Sequence, residues 1–184
     1  MTPGIGGPHL GTMSVQLRDL APGDAGWILQ RHAEHYSATQ GFAPEFEATV
    51  ARILADFIAQ RDAKTDRAWI ATAEGGARLG SVLCLRRAPQ TAQLRLLFVE
   101  PRAQGQGLGK RLLWACIAHA RNWGFRELVL WTHAEQRAGC ALYAKAGFTL
   151  EGSERTESFG VDAVVQHLRL DLSQADRARA ALLQ

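Results

Sequence analysis

The sequence contains no paired arrangement of cysteines and no cluster of residues spaced to hold a metal. Its three cysteines, Cys84, Cys116 and Cys140, stand singly in 184 residues, with no CxxC spacing. Isolated cysteines suit a reducing compartment, where they are more often buried small hydrophobic residues than ligands. His32 and His35 lie on one predicted helix, but no third ligand is spaced near them. We therefore expect no metal and a cytoplasmic protein.

Long apolar runs and blocks of one charge are also missing. No apolar stretch approaches the roughly 18 residues of a membrane span, and residues 1–12 lack the charged start and apolar centre of a signal peptide. The 21 Lys and Arg residues and the 18 Asp and Glu residues are spread along the chain and leave a net charge of +3. Without a basic block there is no electrostatic case for nucleic acid. Neither a membrane nor a nucleic acid is expected as a partner.

Apolar residues are plentiful, and their spacing predicts a mixed α/β sheet. At 47% hydrophobic residues, a chain of this length can bury the core of one domain. The predicted strands are Ser14–Asp19, Ala68–Ala73, Leu79–Leu85, Leu94–Val99, Leu128–Trp131, Thr149–Ser158 and Val161–Leu170. The predicted helices are Asp24–Thr39, Phe46–Ile58, the segment that follows Gly109 and ends at Gly124, Gln136–Ala146 and Ser173–Leu183. The order β, α, α, β, β, β, α, β, α, β, β implies a mixed sheet flanked by helices.

The segment Gln93–Trp123 is the part of the sequence with the clearest functional signal. Its strand Leu94–Val99 is apolar on both faces, which predicts a central position in the sheet. The strand leads into a loop with Gly105, Gly107 and Gly109, and the loop leads into a helix. Because the N–H groups of a first helical turn lack intrahelical partners and glycine allows close approach, this arrangement predicts an anion site.

The spacing of the glycines indicates which anion this is. A phosphate loop of the form GxxxxGK[ST] would place Gln104 at its first glycine and Arg111 at its hydroxyl position, so that motif fails. A dinucleotide motif GxGxxG would place Lys110 or Leu112 at its third glycine, and the acidic residue expected about 20 positions later is also missing. The pattern Q/R-x-x-G-x-G/A, in contrast, is filled completely by residues 104–109, QGQGLG.

The run VEPRAQGQGLGKRLL, with its strand before and its helix after, closely resembles the acyl-CoA signature of the GNAT superfamily of N-acyltransferases. Downstream, ALYAKAGF resembles the second sequence block of the superfamily, a helix with a tyrosine that ends in Gly147 and Phe148. The resemblance covers roughly Val15 to Leu172. It implies one GNAT-like domain over residues 14–172, with a mixed, mostly antiparallel sheet of about seven strands. Residues 1–13 are predicted to form a flexible tail and residues 173–184 a C-terminal helix.

A narrower likeness concerns LRLLFVEPRAQGQGLG, LVLWT and the late SFG. These segments resemble acetyltransferase domains that are often fused behind MarR-type transcriptional regulators. Because residues 1–13 are too few for a winged helix, we do not expect the regulator function in this sequence.

The resemblance implies that acetyl-CoA is the co-substrate and assigns residues to it. The backbone of the loop would hold the CoA pyrophosphate, and Lys110 or Arg111 could add positive charge. The strand before the loop would splay from its neighbour, so that the backbone of Phe98 and Val99 pairs with the pantetheine. The loop residues in this assignment are Gln104, Gly105, Gln106, Gly107, Leu108, Gly109 and Lys110.

The resemblance also implies a general acid, Tyr143, which matches the tyrosine that protonates the departing thiolate in many relatives. The general base is less clear, because the sequence has Gln93, Leu94 and Arg95 where many relatives have a glutamate. Glu100 and His133 are the predicted candidates, although His133 stands where many relatives carry an asparagine. Further alternatives are Glu34, His35, or ordered water with no dedicated base.

These observations predict an acetyl-CoA-dependent N-acetyltransferase that acts on a primary amine of a small molecule or peptide by direct attack. The alternatives are a catalytically weak CoA-binding sensor or regulatory module and, with less support, a DNA-binding regulator. A homodimer is also considered. Two acceptor classes remain open: an apolar or aromatic amine, suggested by Trp27, Tyr36, Phe42 and Phe46, and a cationic amine, suggested by Glu34, Glu45 and Glu47.

Overall fold

The computed structural model of the chain describes residues 14–173, and the order of its elements is the one predicted from the sequence. The predicted tail, residues 1–13, and the predicted C-terminal helix beyond Ser173 lie outside the described residues. The bounds of the helices and strands are β1 Val15–Arg18, α1 Asp24–Gln40, α2 Pro44–Gln60, β2 Arg67–Ala73, β3 Arg78–Ala88, β4 Thr91–Val99, α3 Leu108–Asn122, β5 Glu127–His133, α4 Arg137–Lys145, β6 Thr149–Ser158 and β7 Val161–Asp171.

The seven strands form one sheet in the order β1-β2-β3-β4-β5-β7-β6. The pair β4 and β5 is parallel, and the other neighbouring strands are antiparallel. The predicted mixed, mostly antiparallel sheet of seven strands is therefore confirmed. So is the central position of β4, which is the fourth strand and has the glycine loop at its carboxyl end.

The ends of the helices follow from local sequence signals. Helix α1 ends at Gly41, whose φ of 74° is the left-handed conformation that glycine adopts without strain. Helix α2 begins with Pro44 at its first position, where a missing N–H costs no hydrogen bond. A short 3-10 turn, Pro101–Ala103, separates β4 from the glycine loop, and α3 then begins directly after Gly107.

Two apolar clusters lie on opposite sides of the sheet. On one side Leu112, Leu113 and Ile117 of α3 are fully buried among residues of the central strands. On the other side Ile28 of α1 and Leu54 of α2 belong to the second cluster. Burial of this apolar surface is the main force that holds both layers of helices against the sheet. Within the described chain, no helix has both the length and the apolar character that a bilayer crossing requires.

Candidate active site

The strands β4 and β5 are paired only near their starts. Their register joins Thr91, Ala92 and Gln93 to Glu127, Leu128 and Val129 and ends there. Beyond Gln93, β4 remains paired with β3, while β5 remains paired with β7 as far as His133. The two central strands therefore separate towards the glycine loop, as the resemblance predicted, and one edge of β4 carries backbone groups without a strand partner.

A β-bulge in β4 changes which side chains face each layer. Leu96 has a φ of 50°, and the register against β3 is interrupted between Ser81 and Leu83. The Ser81 Oγ atom donates to the Leu96 carbonyl at 3.0 Å, which holds the irregular position. After the bulge, Phe98 faces α1, where its ring lies 5.4 Å from that of His35. The bulge thus shifts the alternation by one residue, so that Leu97 and Val99 pack on the α3 side as Leu94 does, while Leu96 packs on the other side.

The glycine loop presents a row of free backbone donors. Gly105 and Gly107 have φ angles of 74° and 79°, and a Cβ atom added at either residue would meet no atom within 4 Å. The Gln104 N–H donates to Pro101 O and the Arg111 N–H donates to Gly107 O, but no N–H between them, in residues 105–110, is bonded to another described residue. Six consecutive unpaired donors at a helix N-terminus are an arrangement that can hold an anion.

Polar side chains of the loop tie it to the rest of the domain. The Gln104 Nε2 atom donates to Val99 O at 3.0 Å, and the Gln106 Nε2 atom donates to Arg102 O at 3.2 Å. The Arg111 Nη1 atom donates to Val15 O of β1 at 2.5 Å. Arg111 is therefore engaged away from the loop, whereas the exposed Lys110 lies beside the free donors. Of the two residues considered for positive charge at the loop, Lys110 is therefore the one that lines the cavity there.

A cavity of about 600 Å³ lies between the glycine loop, α1 and α4. It brings together nine of the ten residues to which the sequence assigned cofactor binding, which are Phe98, Val99, Gln104, Gly105, Gly107, Leu108, Gly109, Lys110 and Tyr143. Gln106, the tenth, is exposed on the loop and does not line it. The cavity follows the separated edge of β4, and its volume is within the range of ordinary ligand sites.

A smaller cavity of about 80 Å³ lies on the other side of Tyr143, between α1, α2, β4 and β5. Four residues line both cavities and form the boundary between them, namely Tyr36, Leu97, Gln136 and Tyr143. One cavity therefore reaches the glycine loop, the second reaches the α1 and α2 layer, and Tyr143 lies where they meet. This division suits a reaction between two bound molecules.

Tyr143 is buried at 7% exposure, and its ring packs against Phe148 at 5.7 Å between centroids. Burial raises the pKa of its hydroxyl well above the usual value, and the neighbouring Tyr36 raises it further. No described residue is hydrogen-bonded to that hydroxyl. A tyrosine in this state carries its proton at neutral pH, which is the form that a general acid has before it acts.

His35 is a titratable side chain of α1 that lines the larger cavity. Its ring lies 5.2 Å from Tyr36 and 5.4 Å from Phe98 between centroids. Burial lowers the pKa of His35, and the positive charge of Arg31 lowers it further. At neutral pH the imidazole is therefore uncharged and can accept a proton.

The other predicted bases, Glu100 and His133, do not line either cavity. The carboxylate of Glu100 accepts two hydrogen bonds from Arg31, at 2.7 and 3.0 Å. His133 is buried at 1% exposure, and its Nε2 atom lies 3.0 Å from Ser158 Oγ. Burial also lowers the pKa of His133. Their roles as bases stay predictions that these positions do not support.

Only some of the residues considered for binding the acceptor line a cavity. Tyr36, Phe42 and Phe46 line the smaller cavity, whereas Trp27 does not. The three glutamates considered for a cationic acceptor are Glu34, Glu45 and Glu47, which are all exposed and line neither cavity. The Glu34 carboxylate is moreover paired with Arg31.

Residues at the start of α4 were missed by the sequence reasoning. Glu135, Gln136 and Arg137 line the larger cavity together with Ala138 and Gly139. They lie about thirty residues after the glycine loop and carry no motif of their own. Only the tertiary arrangement places them there, so pattern reading had no signal for them. Within residues 14–173 no group of three or more His, Cys, Asp or Glu side chains is arranged to hold a metal ion.

Comparison with known proteins gives one family. The sequence model of the Acetyltransferase (GNAT) family matches residues 29–148. A mycothiol acetyltransferase of Paenarthrobacter aurescens (strain TC1) is 40% identical over 60 residues, which are 33% of this chain and 19% of that protein. The chain thus matches about a fifth of the length of the curated relatives.

Solved structures share the fold at low sequence identity. A protein of Salmonella typhimurium, determined with its cofactor acetyl-CoA, matches with a TM-score of 0.66 at 20% identity, over 86% of this chain and 94% of that chain. A spermidine N-acetyltransferase of Vibrio cholerae, in complex with CoA and spermine, matches with a TM-score of 0.66 at 19% identity, over 86% of this chain and 96% of that chain.

Proposed function

Because this chain belongs to the acetyltransferase (GNAT) family, we propose that it is an acetyl-CoA-dependent N-acetyltransferase acting on a primary amine of a small molecule or peptide. The observation that carries this proposal is a single cavity that joins the free donors of the glycine loop to the protonated Tyr143. A donor row and an acid on one cavity correspond to the two ends of an acyl-CoA, its pyrophosphate and its thioester. The second cavity leaves room for an acceptor.

The residues present fit acetyl-CoA as a co-substrate. The N–H groups of residues 105–110 would hold the pyrophosphate, supported by the positive end of α3 and by Lys110. The unpaired edge of β4 at Phe98 and Val99 would hydrogen-bond the pantetheine as an added strand would, and an N–H there would polarise the thioester carbonyl. Bound in this way, acetyl-CoA supplies an activated acetyl group at the boundary of the two cavities.

The proton transfers are assigned to His35 and Tyr143. The acceptor amine attacks the carbonyl carbon directly, a C–N bond forms, and the C–S bond of the thioester breaks. His35, uncharged at neutral pH, takes the proton that the amine loses, directly or through water. Tyr143 gives its proton to the departing sulfur, so the products are an amide and a free thiol. No covalent intermediate on the protein is needed.

Two measurements test this function. Calorimetry should show that the protein binds acetyl-CoA, and a mass-spectrometric screen of polyamines, amino acids, antibiotics and peptide N-termini should show a mass gain of one acetyl group on at least one amine. Absence of acetyl-CoA binding would refute the proposal at its first step. Acetylation of hydroxyl compounds only would refute the assignment to amines.

A second candidate function, a CoA-binding sensor or regulatory module, is favoured by the positions of Glu100 and His133. Both of these candidate bases are engaged outside the cavities. Binding of acetyl-CoA without turnover of any amine in the same screen would support this candidate over the enzyme.

Three finer expectations complete the proposal. The likeness to acetyltransferase domains fused to MarR-type regulators, a homodimer and a cytoplasmic location all remain predictions. The location is supported by the cysteines, since Cys84, Cys116 and Cys140 are free thiols.

A further inference from the structure

Arg95 of β4 lies in the wall of the smaller cavity without an acidic partner among the described residues. Its Cζ atom lies 5.6 Å from the ring centroid of Trp131 on β5, a cation–π contact. No described residue forms a hydrogen bond or an ion pair with it, and its Nε atom is buried with no acceptor. Burial lowers the pKa of Arg95, and the charge of Arg87 lowers it further. Keeping a cation at this position therefore lowers the free energy of unfolding by the cost of its partial desolvation.

The chemistry of a guanidinium that lies over an aromatic ring indicates which kind of group would pair with it. A guanidinium that lies on an aromatic ring directs its N–H donors outwards in its own plane, in a fork that matches a carboxylate. Arg95 is paired with Leu83 of β3, and on its other side the pairing of β4 with β5 has already ended at Gln93. An anionic group that enters the cavity would offer an acceptor to the terminal Nη donors of Arg95, which have no hydrogen-bond partner among the described residues.

The rest of the cavity wall contains no negative charge. Besides Arg95, its polar residues are His32, Tyr36, Thr49, Thr132 and Gln136. Burial lowers the pKa of His32 to about 4, so this ring is uncharged at neutral pH, and the pKa of Tyr36 is raised to about 12 by burial, so its hydroxyl stays protonated. A cationic end of an acceptor would find no counter-charge here, but an anionic end would find one.

We propose that Arg95 binds the carboxylate of the acceptor, so that the acetylated amine belongs to a small amino acid rather than to a polyamine. This inference rests on the proposed function, because it names the substrate class of the same site. The cavity of about 80 Å³ holds roughly two or three water volumes of about 30 Å³ each, which suits a carboxylate and a few carbon atoms. Because this cavity shares Leu97 and Tyr143 with the larger one, the amine of such an acceptor lies close to the thioester end.

The test compares acceptors that differ only at the carboxylate. Each proteinogenic L-amino acid is assayed with acetyl-CoA against its carboxamide, with spermidine and short peptides as further arms. We expect kcat/KM for the preferred amino acid to exceed that for its carboxamide by about tenfold or more. Arg95→Gln should lower kcat/KM for the amino acid by about ten- to a hundredfold, mainly through KM, and should change that for the carboxamide by about twofold or less.

Matched variants separate binding from structure. Arg126→Gln removes the same charge at an exposed position before β5 and should leave the preference for the carboxylate unchanged. Arg95→Lys keeps the charge without the planar fork and should restore only part of the preference. If Arg95→Gln does not fold, the wild-type ratio and Arg95→Lys still decide the question.

Several outcomes would overturn the inference. Equal or better acetylation of carboxamides, peptides or spermidine by the wild type would do so, and it would leave the proposed N-acetyltransferase intact. An equal loss for acid and amide in Arg95→Gln would also do so, because it would indicate a structural role. Failure to bind acetyl-CoA would instead refute the proposed function, and the inference with it.

Discussion

Burial shifts the pKa values of the two side chains assigned to proton transfer in opposite directions. It raises the pKa of Tyr143 and lowers that of His35, so at neutral pH the tyrosine carries its proton and the histidine does not. These are the protonation states that a thiolate-protonating acid and an amine-deprotonating base require before the reaction begins. Because both side chains line the same cavity, the proposed mechanism assigns the base to His35 and the acid to Tyr143.

Replacing Tyr143 by phenylalanine removes the acid and keeps the ring that packs on Phe148. We expect kcat for acetyl transfer to fall by about a hundredfold or more, because a positioned general acid contributes on that order. The affinity for acetyl-CoA, measured by calorimetry on the same variant, serves as the control and should change little. A kcat within about twofold of the wild type would show that Tyr143 is only a core residue.

The pH dependence of kcat/KM tests His35. Its pKa is lowered from the ordinary histidine value in the free protein, so the neutral base predominates above that pKa, and kcat/KM should fall as the pH drops through it. His35→Gln should lower the plateau by about tenfold or more and remove this acidic limb. His167→Gln, at an exposed position on β7, should leave the limb in place. If the limb persists in His35→Gln, the base is another group or ordered water.

At the scale of single residues, the sequence was informative where a role depends on local pattern. Tyr143 and the loop glycines belong to motifs, and the structure brings them to one cavity. The environment of Glu100, in contrast, depends on Arg31, which is 69 positions away in the chain. The burial of His133 depends on rings from distant segments, such as Phe42 and Phe159. Contacts of this range leave no trace in local spacing.

At the scale of elements, Gly105 and Gly107 of the loop leave free space around the backbone at the start of α3. Gly107 lies directly before α3 with a φ of 79°, and a Cβ there would point into empty space. A side chain at Gly107 would therefore strain the backbone and would occupy space that a ligand could use, but it would not clash with other residues. This property allows loop function and stability to be separated by experiment.

Gly107→Ala and Gly124→Ala form a matched pair for that experiment. Gly124 follows α3 with a φ of 76°, and its added Cβ would also meet nothing within 4 Å, but it lies outside both cavities. Each variant should lose about 1–2 kcal/mol of stability through left-handed strain. Only Gly107→Ala should weaken acetyl-CoA binding, by about tenfold, in calorimetry. Equal affinities in the two variants would mean that the loop does not contact the co-substrate.

The elements themselves were predictable to within a few residues because each has a local cause. The strand β6 has the predicted bounds Thr149–Ser158, and Pro44 begins α2 just before the predicted apolar repeat. The separation of β4 from β5 and the bulge at Leu96 were not derivable from local patterns, because both depend on pairing between distant strands. The family resemblance predicted the separation of β4 from β5. Neither the local patterns nor the resemblance predicted the bulge.

At the scale of the whole molecule, one buried carboxylate joins the edge of the sheet to the helix that carries His35. Asp24, in the first turn of α1, is fully buried. It accepts hydrogen bonds from Arg18 of β1 at 2.5 and 3.0 Å, from Arg78 of β3 at 2.7 Å and from the Ala21 N–H at 2.7 Å. The start of α1 is thereby fixed against two strands, and α1 forms one wall of both cavities.

This arrangement predicts how stability depends on acid. Burial alone would raise the pKa of Asp24, but the hydrogen bonds from Arg18, Ala21 and Arg78 outweigh it and lower the pKa to about 2. Because the unfolded value is higher, near 3.9, the stabilisation is present above pH 4 and is lost as the pH falls towards 2. The difference corresponds to roughly 2.5 kcal/mol, as a contribution to the free energy of unfolding.

Asp24→Asn tests this contribution by urea unfolding between pH 7 and pH 2. At pH 7 the variant should lose about 3 kcal/mol or more, because Arg18 and Arg78 keep their charges without their partner. Between pH 4 and pH 2 it should lose less further stability than the wild type, since the titrating group is gone. Asp56→Asn, at an exposed position on α2, should follow the wild-type curve. Parallel losses in wild type and Asp24→Asn over this interval would place the acid sensitivity in other carboxylates, and the link between the sheet edge and α1 would then be only geometric.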